Sequence, residues 1–214
     1  MTSLVPSDSL RSELGDAISQ YQSNLLAPEG KEVLEYLTEE RHLSREAVDH
    51  FKLGYTGDSP RLGDPAKRIS IPYLSWSGPT QIRFRSLDPN PGMYKYLGSK
   101  GHGTRLYNTI ALRSDSQRVY VTEGEIDCIT AWMAGLPCVA VPGAENWKKS
   151  YWRLFRYREV VVLADSGEAG KKLAVAISSD VEMAKIVTMP DDDVNDFYCR
   201  YGRDALREFV GADN

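Results

Sequence analysis

Residues 159–165 read Glu-Val-Val-Val-Leu-Ala-Asp, a run of five apolar side chains that ends on a carboxylate. An uninterrupted, Val-rich run of this kind is typical of a strand that is buried on both faces of a parallel sheet. Parallel neighbours are joined by crossover connections, which are usually helices. The segment therefore predicts an α/β sheet built around residues 159–164, with Asp165 at its carboxyl end.

The surrounding chain from about residue 118 alternates between short apolar strands and amphipathic helices. Strands are predicted at 119–122, 138–141 and 185–188, and helices at 125–135, 147–156, 168–179 and 194–210. This alternation predicts an open, Rossmann-type parallel sheet flanked by helices. Ligands of such sheets bind beyond the carboxyl ends of the strands.

The upstream half has a different pattern, which predicts a smaller α+β subdomain. Residues 8–26 and two shorter segments, the last ending near Phe51, show helical spacing. Residues 69–74 and 81–85 alternate like the strands of a hairpin, with Ile82 and Phe84 facing inward and arginines on the other face. We expect two domains, a helical and basic-hairpin subdomain at 1–112 and an α/β domain at 113–214.

Charge is concentrated in the middle of the 214-residue chain. The net charge is −4, but residues 61–110 hold eight Lys or Arg and two Asp or Glu, a balance of +6. Aromatic residues are interleaved with these cations, a composition that suits a phosphate-lined groove where bases stack. The alternative is a solvated sheet face above a half-buried row of aromatics.

Several protein classes are excluded by composition. No apolar run approaches the roughly 20 residues of a membrane span, and the first residues lack the features of a secretory signal. The three cysteines form no C-x-x-C pair, which argues against a disulfide framework and against a zinc site. We therefore expect a cytoplasmic protein without zinc.

Carboxylates follow three of the predicted strands. Glu123 follows the first, Asp165 ends the central one with Glu168 close behind, and residues 191–193 are all aspartates. Carboxylates that converge at one sheet edge repel each other unless a cation neutralises them. All-oxygen sites select Mg²⁺ or Mn²⁺, ions that suit phosphoryl transfer. The alternative is helix capping, by Asp165 or Ser166 for one helix and by Asp193 for the last.

The same segments resemble those of a known family. Residues 119–131 (Val-Tyr-Val-Thr-Glu-Gly-Glu-Ile-Asp-Cys-Ile-Thr-Ala) look like the first motif of the Toprim fold, 163–174 resemble its second motif, and 193–197 its third acidic segment. Upstream, Arg68-Ile-Ser-Ile-Pro, Arg83-Phe-Arg and Lys95-Tyr-Leu-Gly-Ser are similar to the basic part of the DnaG-type primase catalytic core. The resemblance extends over residues 30–210.

This resemblance implies a Toprim-like fold and a DNA primase that makes short RNA primers on single-stranded DNA from nucleoside triphosphates. Glu123 would be a metal ligand or general base, and Asp165 and Asp193 would bind Mg²⁺ or Mn²⁺. Gly167 stands where the family has a second aspartate, so Glu168 is the candidate substitute. The implied contacts to template or nucleotide phosphates are Arg68, Arg83, Arg85, Lys95 and Arg105.

The resemblance also bears on partners. Family members usually add an N-terminal zinc domain and a C-terminal helicase-binding region, and the sequence matches neither. We expect a stripped core of the kind that a phage encodes, with a replicative helicase or a separate template-recognition protein as partner. Two other hypotheses remain: a Toprim-type metal-dependent nuclease, and a catalytically weakened accessory subunit of the replisome that binds single-stranded DNA.

Overall fold

The computed structural model describes residues 6–58, 65–87, 94–98 and 105–212. Contacts within the chain divide it into two compact units, residues 1–103 and 104–214. The boundary expected after residue 112 lies inside the second unit, within a 3₁₀ turn at Thr109–Arg113.

The first unit begins with helices. They are α1 (Asp8–Leu26), α2 (Lys31–Glu35) and α3 (Arg45–His50), and a π-helical turn at Tyr36–Glu40 continues α2. The hydroxyl of Ser7 accepts a hydrogen bond from the backbone N–H of Leu10 (3.2 Å) and caps α1. Ser44 caps α3 in the same way, since its hydroxyl accepts a hydrogen bond from the backbone N–H of Ala47 (3.1 Å).

An antiparallel sheet completes the first unit. Its strands, in spatial order, are β1 (Gly54–Tyr55), β2 (Arg68–Ser75), β3 (Gly78–Ser86) and β4 (Tyr96–Gly98). The predicted β2–β3 hairpin is confirmed, with Ile71 opposite Arg83. Ile82 and Phe84 point into a core shared with Ile18 of α1, so the apolar side of the hairpin is the side that the helix covers.

The second unit contains the parallel sheet that residues 159–165 predict. Its strands are β5 (Arg118–Thr122), β6 (Cys138–Ala140), β7 (Glu159–Ala164) and β8 (Ala184–Thr188), in the order β6-β5-β7-β8. All three pairings are parallel. Residues 160–164 are buried, which explains their uninterrupted apolar character. The α/β class is therefore confirmed.

Three helices accompany this sheet: α4 (Glu125–Met133), α5 (Glu168–Asp180) and α6 (Val194–Phe209). Leu173 and Ile177 of α5 pack into the main core of the unit. Helix α6 is broken at Gly202, whose φ of 83° leaves the helical region. None of the described helices is both long and apolar enough to cross a bilayer.

The helix expected at 147–156 is confirmed only in part, because the structure has short 3₁₀ segments in place of an α-helix. The structure has a 3₁₀ turn at Ala144–Asn146 and another at Lys149–Leu154. Aromatic side chains lose rotamer freedom on an α-helix, and here Trp147 and Phe155 both pack against the core of the unit. Tertiary packing of these rings overrides the helical spacing of the segment.

Candidate carboxylate site

Asp165 lies at the carboxyl edge of the parallel sheet, where the chain segments that follow β7 and β8 stay together. The N–H of Met189 donates to the carbonyl of Ala164 (2.9 Å), and the N–H of Ser166 donates to that of Asp192 (3.1 Å). A Cβ atom on Gly170 would stand 2.4 Å from the Asp165 carbonyl oxygen. Helix α5 therefore approaches the strand end so closely that only glycine fits, and this contact fixes the backbone that carries the carboxylate.

The environment of Asp165 disfavours its negative charge. Burial, followed by the charges of Glu123 and Asp193, raises its pKa from 3.8 to about 7. Burial also raises the pKa of Glu123, although a hydrogen bond from the backbone of Ala144 opposes the shift. Glu123 Oε2 and Asp165 Oδ1 are buried and have no hydrogen-bond partner among the described residues. The strand-end carboxylates thus converge, as the sequence predicts, and two of their oxygens are left unsatisfied.

Asp127 is a member of this cluster that the sequence analysis missed. It is buried, and its Oδ1 accepts a hydrogen bond from the backbone N–H of Asn195 (3.0 Å). Burial and the charges of Asp193 and Asp165 raise its pKa well above the usual value, and a hydrogen bond with Asp193 adds to the shift. Asp127 therefore links the start of α4 to the start of α6.

A signal for Asp127 was present in the sequence. It lies in the first turn of the helix that follows β5, four residues after Glu123. A carboxylate there can fold back toward the strand end, and a Cβ on Gly124 would lie 2.4 Å from Asp127 Oδ2. The Glu-Gly pair after β5 therefore makes room for a second acid.

Asp193 has two roles. Its Oδ1 accepts a hydrogen bond from the N–H of Asp196 (2.7 Å), so it caps α6, the alternative role considered for it. Its charge also raises the pKa values of Asp127 and Asp165. Asp165, by contrast, does not cap α5, whose N-cap residue Gly167 has no side chain to do so.

Glu168 is not brought into the cluster. Its side chain is 81% exposed and pairs with Lys171 in the next turn of α5, at 3.0 Å. It is not among the residues whose charges raise the pKa of Asp165. Asp191 turns instead to Arg200, with which it forms an ion pair, and its other oxygen is buried without a hydrogen-bond partner in the part of the chain that the structure describes.

The donor set fits a hard divalent cation. Within the described ranges, no group of three or more His, Cys, Asp or Glu side chains is already gathered into a metal-binding arrangement. Even so, the cluster offers only oxygen atoms, and Glu123 and Asp165 each present a buried oxygen without a partner. Mg²⁺ and Mn²⁺ prefer such ligands. Glu123, Asp165 and Asp193 are the residues that could hold the ion.

Two of the arginines that were predicted to bind phosphate are buried in the first unit. Arg85 is 7% exposed and donates hydrogen bonds to the hydroxyls of Tyr96 and Tyr36, both at 2.9 Å. Arg68 is 5% exposed and donates to the carbonyl of Tyr94 (2.8 Å). Both guanidiniums are therefore engaged in holding the hairpin to its surroundings.

The other predicted cations are more accessible. Arg83 is half-buried, with its guanidinium 4.9 Å from the centre of the Tyr96 ring, and the exposed Lys95 reaches the same ring at 6.0 Å. Several cationic side chains therefore lie close to the Tyr96 ring. Arg105 is half-buried and belongs to the second unit.

Comparison with known proteins supports the sequence resemblance. Residues 120–198 match the Toprim-like family model. The Gene 57 protein of Mycobacterium phage D29 is 43% identical over 149 residues, which cover 66% of this chain and 97% of that protein.

Solved structures give the same fold. The RNA polymerase domain of Mycobacterium tuberculosis primase DnaG matches with a TM-score of 0.81 at 20% identity, over 96% of this chain and 84% of that one. A DnaG primase catalytic domain bound to single-stranded DNA matches with a TM-score of 0.73 at 20% identity, over 94% and 80%. The chain therefore belongs to the family of the phage Gene 57 protein, and it carries a Toprim-like domain within the fold of DnaG-type primase catalytic cores.

Proposed function

We propose that the chain is a DNA primase core that makes short RNA primers on single-stranded DNA by metal-dependent nucleotidyl transfer. The observation that supports this most directly is the convergence of Glu123, Asp193 and Asp165: burial, followed by the charges of Glu123 and Asp193, raises the pKa of Asp165 to about 7. Such a concentration of negative charge beside buried, unpartnered oxygens is costly unless a cation binds there. The fold shared with primase cores agrees with this chemistry.

Glu123, Asp165 and Asp193 would hold Mg²⁺ or Mn²⁺. When bound, such an ion stabilises the charge on the attacking and leaving oxygens of a phosphoryl transfer. Glu123 is also the candidate general base, because burial raises its pKa and so makes its carboxylate a stronger acceptor for the proton of an attacking hydroxyl. Asp127 would position Asp193 through their hydrogen bond. The role of Glu168 as an additional ligand of the metal ion remains a prediction.

Nucleic acid or nucleotide phosphates would contact the basic hairpin unit. Arg83 and Lys95 are the leading candidates, since Tyr96 is a ring on which a base can stack and both cations lie near it. Arg68 and Arg85 would act by holding β2 and β3 in place, and Arg105 is proposed as a further phosphate contact. A replicative helicase or a separate template-recognition protein remains the expected partner.

One observation favours a second candidate, an accessory subunit that binds single-stranded DNA without catalysis. Gly167 provides no carboxylate, and the neighbouring Glu168 is exposed and paired with Lys171. A site with fewer ligands binds its cation more weakly, so priming would be slow or absent.

Incubation with single-stranded DNA, labelled nucleoside triphosphates and Mn²⁺ separates the possibilities by product. An oligoribonucleotide is expected from a primase, cleaved DNA from a nuclease, and an unreacted complex from an accessory subunit. Glu123→Gln should lower priming by about 10³-fold, the range expected for loss of a general base, and leave DNA binding unchanged. Asp204→Asn, which removes an exposed carboxylate of α6, is the control. Normal priming by Glu123→Gln would overturn the assignment.

A further inference from the structure

A second part of the molecule combines aromatic and basic side chains. Residues 147–158 read Trp-Lys-Lys-Ser-Tyr-Trp-Arg-Leu-Phe-Arg-Tyr-Arg, with five aromatic, five basic and no acidic side chains. The segment runs from the loop after β6 to Arg158, which directly precedes β7. Its last residues therefore lie at the amino edge of the parallel sheet. The carboxylate cluster is at the opposite edge, about 20 Å away along a six-residue strand.

The cations of this segment are stacked on its rings. The guanidiniums of Arg153 and Arg156 lie 5.9 and 5.8 Å from the centre of the Trp152 ring, and that of Arg156 lies 4.9 Å from the centre of Tyr157. Trp152 is half-buried and Tyr157 is exposed, and a guanidinium that stacks on a ring keeps its N–H groups available to a second partner. We call Trp152, Arg153, Arg156 and Tyr157 the aromatic–arginine patch.

Tyr157 lies between two cavities and lines both of them. Its side chain is 80% exposed, and together with Arg156 and Arg158 it lines one cavity of about 410 Å³ and another of about 320 Å³. Trp152 and Met183 also line the larger one. Each cavity is large enough for a nucleobase, so an unpaired strand that crosses the patch could place a base beside Tyr157.

The backbone holds Tyr157 in this place. Its φ is 65°, in the left-handed region that a tyrosine seldom adopts. The next residue, Arg158, anchors the turn by donating hydrogen bonds to the carbonyls of Leu112 (2.8 Å) and Ser116 (2.8 Å). A strained residue persists only where its surroundings enforce the conformation. The backbone that carries the exposed ring is therefore held in place before any ligand arrives.

We propose that the aromatic–arginine patch is a second contact site for single-stranded nucleic acid. Stacking rings interleaved with cations are what an unpaired strand requires, since the bases stack on the rings and the phosphates pair with the arginines. Asp180 and Glu182, which also line the larger cavity, offer acceptors for the N–H groups of bases. An acidic protein segment would pair with the arginines but would leave these carboxylates facing like charge. The site needs neither a metal ion nor catalysis, so it does not depend on the proposed function.

Photo-crosslinking tests the location. An oligo(dT) of about 20 nucleotides, longer than a typical single binding site, is substituted with 5-bromodeoxyuridine and irradiated with the full chain in EDTA without nucleotides. Crosslinks that map to Trp152 or Tyr157 support the proposal. Crosslinks confined to the basic hairpin, or capture of an acidic polyglutamate peptide but not of the oligonucleotide, overturn it.

Affinity measurements test the energetics. Tyr157→Ala should weaken binding of the same oligonucleotide about tenfold, whereas Tyr157→Phe should bind like the wild type. Arg153→Ala combined with Arg156→Ala should reduce the slope of log Kd against log salt by about 0.7 for each phosphate that the variant no longer neutralises.

The matched control is Lys172→Ala combined with Arg203→Ala, which removes two exposed charges from α5 and α6. It should leave the slope nearly unchanged. An equal reduction in this control, or wild-type affinity in Tyr157→Ala, would show that the patch is not a binding site. Because binding is measured in EDTA, failure of the nucleotidyl-transfer proposal leaves this result unaffected.

Discussion

The carboxylates of the second unit and the arginines of the first differ in how far the protein satisfies their charges. Glu123 and Asp165 each keep a buried oxygen without a partner among the described residues, and burial disfavours their ionised forms. Arg85 is more deeply buried, yet it has two tyrosine hydroxyls and two rings around it. In the second unit, two carboxylate oxygens lack a partner among the described residues. In the first unit, the charge of Arg85 is engaged in contacts that stabilise the fold.

The difference distinguishes residues that form a ligand site from residues that support one. A buried polar group without a partner lowers stability, so it persists in a native protein where a ligand or a reaction requires it. A buried group with all its partners stabilises the fold whether or not it meets a ligand. Residue type alone, Asp or Arg, does not separate the two cases.

The largest effect on stability should come from Arg85. Arg85→Ala leaves the hydroxyls of Tyr36 and Tyr96 without their charged donor and should lower the free energy of unfolding by about 3 kcal/mol. Urea unfolding measures the change. Arg83→Ala, which removes a half-buried cation from the same strand, is the control and should cost less. A loss below about 0.5 kcal/mol for Arg85→Ala would mean that this guanidinium is not structural.

Gly170→Ala should have the next largest effect, about 2 kcal/mol. The new Cβ would stand 2.4 Å from the carbonyl oxygen of Asp165 and must push α5 away from the strand end. Gly167→Ala is the matched control, because no atom lies within 4 Å of a Cβ at that position. Equal melting temperatures for the two variants would contradict the close approach.

The cluster should also impose a pH dependence on stability in the absence of metal. Folded Asp165 retains its proton up to about pH 7, whereas the ordinary value for the unfolded chain is 3.8. At Asp165 the folded state therefore binds more protons in this interval, and the contribution of this residue to stability falls as pH rises from about 4 to 7. Above pH 7, Asp165→Asn should be more stable than the wild type by about 1 kcal/mol after solvent screening is allowed for.

Thermal unfolding in EDTA across this pH range measures the dependence, with Asp204→Asn as the control. The stability difference between Asp165→Asn and wild type should grow with pH and then level off. A difference that is constant with pH, or that shrinks as pH rises, would contradict the raised pKa of Asp165.

The smallest effect should come from Glu168, which is exposed and pairs with Lys171. Glu168→Ala should change stability by less than about 0.5 kcal/mol. It should also reduce Mn²⁺ affinity less than Asp165→Asn does. Isothermal titration calorimetry compares the two, and an equal loss of affinity would make Glu168 a full ligand.

The sequence predicted the elements that depend on pattern. The apolar run at 160–164 and the alternation around it indicated the parallel sheet, and because strand ends share an edge, Glu123 and Asp165 could be expected to meet. Asp127 was missed because a carboxylate in the first turn of a helix also suits the helix dipole, and only packing shows that it turns inward. The burial of Arg85 was also missed. The alternation of a strand predicts the face on which a side chain lies, but it does not show what covers that face.

Crystals soaked in Mn²⁺ and measured at a wavelength where manganese scatters anomalously would show whether the carboxylate cluster binds the ion. We expect an anomalous peak within bonding distance of the Glu123 and Asp165 carboxylates, and its loss in Asp165→Asn. A peak bound elsewhere, or no peak at these residues when the ion saturates other sites, would contradict the assignment of the carboxylate cluster as a metal centre.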